Sequence, residues 1–193
     1  MMKEIYKYIF YLLLIFFFSC TQNKDEITLK YFQLENVFHY SDYKSHDATT
    51  IIFLSPQCPL SENYSKTLLD LKNQYTNNNI KFNFIVPGDK YADNEISELQ
   101  NIYLQGTPVI LDKKNDLVQR LNATTTPETF LINSKGKVVY SGAIDNWAVD
   151  LGTKRQVITE HYLENAIDAL LNGAEVKIKT TDAVGCFIEL GYE

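Results

Sequence analysis

Two hydrophobic rhythms alternate along this chain. Residues 49–54, Thr49-Thr50-Ile51-Ile52-Phe53-Leu54, form a short run of β-branched and apolar positions that predicts a buried strand. From residue 61 to 75 the period becomes helical, with Tyr64, Leu68, Leu71 and Tyr75 on one face, until Asn77-Asn78-Asn79 breaks it. Residues 80–86 alternate around Phe82 and Phe84 as a second strand, Pro87-Gly88-Asp89 turns the chain, and residues 94–103 read as helix. A third short strand over 108–111 and a short helix over 115–121 follow. Residues 129–132 and 137–144 flank Asn133-Ser134-Lys135-Gly136, a hairpin signal. A closing helix over 159–171 carries Tyr162, Ala166, Ala169 and Leu170 on one side and ends at Asn172-Gly173. Strands and helices in this order predict an α/β class, with a central mixed β-sheet flanked by helices.

The chain has 193 residues, 45% of them hydrophobic, enough for one domain to bury a core without metals or several disulfides. Its formal net charge is −6, spread in singles and pairs, which describes a solvated surface and argues against a nucleic-acid partner. There is no internal repeat and no low-complexity linker beyond a short polar stretch near the N-terminus.

That N-terminus changes the picture. Lys3 and Lys7 accompany an almost wholly apolar run over residues 5–18, which ends in Phe17-Phe18-Ser19-Cys20. The run is shorter than the ~18 to 20 residues of a spanning helix, so a cleaved export signal is the better reading. It resembles a bacterial lipoprotein signal, although that motif prefers Leu where Phe17 stands. The resemblance implies a signal over 1–19, lipidation at Cys20, a tether over 20–26, a folded domain over 27–172 and a C-terminal tail over 173–193. The folded part then faces the bacterial cell envelope, bound to a membrane through its lipid. An uncleaved signal anchor is the alternative and tethers the domain equally.

Of three cysteines, a lipidated Cys20 leaves Cys58 and Cys186, and two thiols in an oxidising compartment can pair. As a structural staple, a bridge across so wide a loop would constrain the unfolded chain by roughly 5 kcal/mol. Cys58 also has chemistry of its own. The strand over 49–54 delivers Cys58-Pro59 to the start of a helix, where unpaired N–H groups and the helix dipole favour thiolate over thiol. Pro59 suits the first helical turn, which has no use for its missing N–H.

A strand ending at Cys58-Pro59, followed by Thr126-Pro127-Glu128-Thr129-Phe130-Leu131-Ile132 opening a hairpin, resembles the thioredoxin fold. The long path between them resembles its redoxin branch, which includes peroxiredoxin-like proteins of the AhpC/TSA type and membrane-tethered thiol:disulfide oxidoreductases. The resemblance implies that Cys58 is the nucleophile and that the peptide before Pro127 is cis. It also implies that Thr126 and Pro127 form the substrate-side wall, with the backbone of Thr126 accepting extended substrate. Thr107-Pro108 is a competing pair without the hairpin signature. The tail, Val184-Gly185-Cys186-Phe187-Ile188, resembles a redoxin subgroup with a second cysteine near its C-terminus, which implies that Cys186 belongs to the working site. Gly185 beside it suggests a flexible, accessible backbone. The plain alternative is a small buried hydrophobe next to Phe187 and Ile188.

Departures from the family pattern bear on mechanism. Ser61 stands where a dithiol oxidoreductase has its second cysteine, so a mixed disulfide at Cys58 must be resolved by Cys186, an external thiol or a partner protein. The Ser61 hydroxyl is expected to stabilise the thiolate or cap the helix. Ser55, three residues before Cys58, occupies the place where peroxiredoxins keep a peroxide-positioning hydroxyl, and this supports a thiol peroxidase as the second reading. Ile51 stands where those enzymes have proline, and neither Arg120 nor Arg155 matches their arginine. A non-catalytic binding module or a metal-transfer protein is the third reading, the first weakened by the joint presence of Cys58, Pro59, Thr126 and Pro127, the second by the wide spacing of His39, His46 and His161. The expected partners are protein thiols or disulfides, or a peroxide, together with an envelope reductant. No cofactor or metal is required.

Overall fold

The computed structural model describes residues 26–190, so the expected signal peptide and Cys20 lie outside the described residues. Strands β1 (Thr28–Tyr31) and β2 (Val37–His39) form an N-terminal hairpin, and β3 (Ala48–Phe53) then runs into helix α1 (Pro59–Gln74). Next come β4 (Ile80–Pro87), the short helix α2 (Asp93–Glu98), β5 (Val109–Asp112) and the short helix α3 (Asp116–Leu121). The two-residue strand β6 (Thr125–Thr126) precedes the hairpin β7 (Glu128–Asn133) and β8 (Val138–Gly142). A small hairpin, β9 (Ala148–Asp150) and β10 (Thr153–Lys154), then leads to helix α4 (Tyr162–Leu171) and the terminal strand β11 (Cys186–Phe187).

Seven strands make one sheet in the order β2-β1-β5-β4-β3-β7-β8. β3, β4 and β5 are mutually parallel, while β7 and β1 run antiparallel to their neighbours β3 and β5, so the sheet is mixed as expected. β3 is an interior strand, paired with β4 on one side and β7 on the other. Alternation sends Ile52 and Leu54 into the core under α1 and α4, and Ile51 and Phe53 into the opposite core with Leu117 and Val118 of α3. All four are fully buried, each contributing ~1.5–3 kcal/mol of transfer free energy. This double burial fixes where β3 ends, and with it the position of Cys58.

Helix α1 buries Tyr64, Leu68 and Leu71, the predicted stripe, with the capping Tyr75 buried beyond its end. Helix α4 differs from expectation: its buried face is Leu163, Ala166 and Ile167, while Tyr162, Ala169 and Leu170 are only partly covered. The helix is rotated so that its bulkiest aliphatic positions meet the sheet. The helical pattern over 94–103 also resolves differently, with α2 passing into a wider π-type turn at Leu99–Tyr103.

Beyond α4 the chain crosses to the open side of β8. The Ser141 N–H donates to the Lys179 carbonyl at 3.0 Å and the Thr181 N–H to the Ser141 carbonyl at 3.0 Å. The Thr181 hydroxyl hydrogen-bonds the Tyr140 hydroxyl at 2.7 Å and accepts the Ala143 N–H at 2.9 Å. From this anchor the tail turns over the end of the sheet and reaches β6.

Candidate active site

Cys58 leaves the sheet four residues after Leu54, whose N–H is still held by the Ile85 carbonyl at 2.8 Å. A tight turn follows, in which the Cys58 N–H donates to the Ser55 carbonyl at 3.1 Å. Cys58 is the N-cap of α1, with extended φ −100° and ψ 113°, and Pro59 follows as the first helical residue. The Cys58 carbonyl accepts the Ser61 N–H at 2.9 Å and the Glu62 N–H at 3.3 Å, beginning the helix. The sulfur is fully buried, with its thiol donating to the Thr126 carbonyl at 3.0 Å.

The Thr126-Pro127 peptide is cis. It lies against Cys58, so Thr126 and Pro127 sit at the thiol as the family resemblance implied. β11 pairs antiparallel with β6, setting Cys186 opposite Thr126 and Phe187 opposite Thr125. The Ile188 N–H donates to the Thr124 carbonyl at 2.9 Å, and the Thr126 hydroxyl donates to the Cys186 carbonyl at 3.4 Å. The tail thus brings a second thiol onto the first, and both cysteines are free.

The two thiols have different acidities. Burial pushes the Cys58 thiol up, but hydrogen bonds from the Cys186 thiol and from the N–H groups of Ser61, Cys186 and Leu60 outweigh it and hold Cys58 below its ordinary 9.0. Cys186 is pushed up to about 11, first by burial and then by the negative charge and hydrogen bonding of Cys58, with only a small opposing effect of the Lys90 ammonium. Cys58 is therefore the more acidic of the two sulfurs and Cys186 the one that keeps its proton. Such a pair titrates as a unit.

The neighbouring polar residues have structural tasks. The Ser61 hydroxyl accepts the Ser55 N–H at 3.0 Å in a fully buried position, so it ties down the loop before Cys58. The hydroxyl, expected to stabilise the thiolate or cap the helix, is engaged with this loop, and the Ser61 backbone N–H is among the groups that favour the thiolate. The Ser55 hydroxyl accepts the Gln57 N–H at 3.2 Å. Arg120 lies over the Tyr40 ring, 5.7 Å from its centroid, and the Arg155 N–H donates to the Trp147 carbonyl at 2.8 Å. Among the described residues, no hydrogen bond ties either guanidinium to Cys58. No group of three His, Cys, Asp or Glu among the described residues could hold a metal ion. Asp145 is a buried brace, accepting the Tyr64 hydroxyl at 2.7 Å and the Trp147 N–H at 2.8 Å.

Two tail features escape a reading from sequence. Gly185 is not there for flexibility: a Cβ at that position would lie 2.2 Å from the Thr126 carbonyl oxygen and 2.6 Å from its carbon. Its hydrogen is what permits the close approach. Lys90 reaches Glu189 at 2.9 Å and clips the strand's far end, and no motif in the sequence pointed to it. Cys186, whose plain alternative reading was a small buried hydrophobe, is only partly covered, and Phe187 beside it is 81% exposed.

A profile of the AhpC/TSA family matches residues 22–141, more than half of the chain. A search of curated proteins returns no match. Among solved structures, a hypothetical protein from Sinorhizobium meliloti 1021 superposes with a TM-score of 0.76 at 21% identity, covering 87% of this chain and 92% of its own. An uncharacterized conserved protein from Geobacillus kaustophilus gives 0.75 at 24% identity, over 87% and 90%. The exposed lipoprotein thioredoxin of Streptococcus pneumoniae gives 0.51 at 16% identity, over 60% of this chain and 87% of its own. At these identities the likeness is one of fold, and the fold is thioredoxin-like.

Proposed function

This chain belongs to the AhpC/TSA family, and on that premise we propose that it is a two-cysteine thiol:disulfide oxidoreductase in which Cys58 attacks and Cys186 resolves. The observation that carries this reading is the pairing of β11 with β6, which sets Cys186 opposite Thr126, the residue whose carbonyl lies 3.0 Å from the Cys58 sulfur at the tip of α1. The Cys58 thiolate attacks one sulfur of a substrate disulfide, forming a mixed disulfide and expelling the other half as a thiolate. Cys186 then gives its proton to the departing group and attacks the Cys58 sulfur. The remaining half leaves as a thiol, and a Cys58–Cys186 disulfide remains. The substrate gains two electrons and the cysteine pair loses them. An envelope dithiol reverses the exchange and restores both thiols.

The high Cys186 pKa suits this order, because it keeps Cys186 protonated in the seated tail and leaves Cys58 the more acidic thiol of the two. The lipoprotein-like N-terminus supports an envelope location, as does the fold likeness to an exposed lipoprotein thioredoxin. Incorporation of labelled fatty acid into the protein, lost on Cys20→Ala, is the expected sign of the lipid anchor.

The test is mass spectrometry of the folded domain after mild oxidation and thiol blocking, with Cys58→Ser and Cys186→Ser variants alongside. A reducible Cys58–Cys186 bridge in the unmodified protein, lost in both variants, is the expected result. Two free thiols after oxidation, with Cys58 alkylating no faster than a model thiol, would sink the proposal. A thiol peroxidase is the second reading, supported by the family match. There the Cys58 thiolate takes an oxygen from a peroxide, and the sulfenic acid condenses with Cys186 with loss of water. Rapid sulfenate formation by hydrogen peroxide in Cys186→Ser favours it over disulfide exchange.

A further inference from the structure

We propose that residues 184–189 are an internal strand ligand: they occupy the β6 edge that an extended polypeptide substrate takes, and they resemble that substrate in sequence. The inference rests on the proposed disulfide exchange and adds a substrate class to it, an extended chain with glycine immediately before its reactive cysteine.

The β6 edge is short but complete in what it offers a strand. Thr124 presents a carbonyl that accepts the Ile188 N–H at 2.9 Å, and the Thr126 hydroxyl reaches the Cys186 carbonyl at 3.4 Å. This is β-strand addition, in which backbone bonds give affinity and alternate side chains give specificity. Cys186 stands opposite Thr126, whose carbonyl is 3.0 Å from the Cys58 sulfur, and Ile188 packs on the core that includes Leu29, Phe38 and Ile110, while Phe187 between them faces solvent. At the start of the strand, the Thr126 carbonyl leaves no room for a Cβ on residue 185. At its end, Glu189 meets Lys90. Read as a template, the edge accepts Gly, then Cys, then any residue, then an aliphatic residue, then an acidic one.

While the tail is seated, Cys58 is fully buried and a polypeptide disulfide has no path to it. The tail must lift. Its two attachments differ in strength: residues 179–181 are held by backbone bonds on both sides of Ser141 and by the partly buried Thr181 hydroxyl, whereas β11 is a two-residue pair with an exposed ion pair beyond it. The strand therefore opens about the anchor at Thr181. A substrate strand then pairs with β6 and its disulfide meets the Cys58 thiolate, giving the mixed disulfide. Re-seating of the tail evicts the substrate strand and delivers Cys186 to the Cys58 sulfur in one movement. Resolution and product release are the same event.

The test uses the full-length protein and Gly185→Ala, which keeps Cys186 but forces β11 off Thr126. The probes are the peptide Ala-Val-Gly-Cys-Phe-Ile-Glu, with its cysteine as the mixed disulfide of thionitrobenzoate, the same peptide with Ala for Gly, and the glutathione mixed disulfide. Release of thionitrobenzoate is followed by absorbance in single turnover. The Gly-Cys peptide should react with Gly185→Ala faster than with the unmodified protein by about tenfold or more, as expected from one or two net backbone hydrogen bonds no longer contested. It should also outpace both the Ala-Cys peptide and the glutathione probe on the opened variant. Equal rates for the two peptides, or no gain on opening the tail, overturn the strand-ligand proposal while leaving the exchange chemistry standing. If no probe reacts with Cys58 in either protein, the exchange reading and this inference fall together.

Discussion

Removing the Cys186 thiol should make Cys58 a weaker acid. Among the groups that favour the Cys58 thiolate, the Cys186 S–H is the largest contributor, ahead of the N–H groups of Ser61, Cys186 and Leu60. Cys186→Ala deletes that donor and leaves the peptide N–H of residue 186 in place on β6. A hydrogen bond to a charged acceptor contributes about 1.5–3 kcal/mol, and because a thiol is a weak donor the low end applies. The Cys58 midpoint therefore moves up, and at a fixed pH below it the alkylation rate falls roughly tenfold. The sign follows from what is left behind: burial still pushes the thiol up, with fewer donors to oppose it. Cys186→Val controls for water entering the vacated space, since its larger apolar side chain suits a strand and keeps the sulfur dry. The assay is the pH dependence of Cys58 alkylation by iodoacetamide, resolved by peptide mass so that Cys186 does not contribute in the unmodified protein. Both variants should titrate at higher pH than the parent. A midpoint that is unchanged or lower in both would falsify the claim that the second thiol sustains the thiolate.

Three other perturbations probe the frame around the site. Gly142 has φ +127° and a Cβ there would lie 2.0 Å from the Thr181 carbonyl oxygen, so Gly142→Ala should lower stability by about 1–3 kcal/mol, read from denaturant unfolding. Tyr64→Phe removes the hydroxyl that donates to Asp145 and accepts the Ala148 N–H, leaving a buried carboxylate short of a partner. It should cost about 2 kcal/mol while leaving the Cys58 alkylation midpoint in place. Burial raises the Asp112 carboxyl above its ordinary 3.8, against the N–H groups of Val118 and Leu117 that it accepts. A carboxyl raised in the folded state binds its proton more tightly there, so the stability it contributes is present below 3.8 and is lost as pH rises through the folded value. Asp112→Asn keeps an acceptor for both N–H groups and should remove that loss, making the variant relatively more stable at neutral pH than at acid pH in parallel urea titrations.

Elements with enough residues to express a period were legible in the sequence: β3, α1, β4 and the β7–β8 hairpin fall within a residue or two of expectation, and Cys58 caps α1 where the strand-to-helix change placed it. Short elements were not. β1 and β2 span four and three residues with only Leu29 and Phe38 turned inward, too few positions to establish alternation. α4 shows a different failure, since two overlapping stripes satisfy the helical period and only contact with the sheet selects Leu163 and Ile167. β11 is legible least of all. Its two residues are in strand because Thr125 and Thr126 lie opposite, sixty residues away in sequence, and Gly185 signals the pairing only once the Thr126 carbonyl is known to press against it.

The same reasoning connects Ser61 to the tail. A hydroxyl at residue 61 is held at 3.0 Å by the Ser55 N–H, inside a fully buried turn that also sets the path of the chain into Cys58. A sulfur there would accept that bond poorly, and the Ser55 N–H would pay a desolvation penalty of about 1–3 kcal/mol. Any second thiol must then reach the Cys58 sulfur from another direction. α1 covers one side of that sulfur and Thr126 with the cis-proline covers another, leaving the β6 edge as an approach by which a strand can present a cysteine while satisfying its own backbone. Cys186 arrives by that route. Because a polypeptide substrate needs the same edge, a resolving cysteine placed there is bound to compete with substrate for it, and the opening of β11 becomes the step that sets access to Cys58.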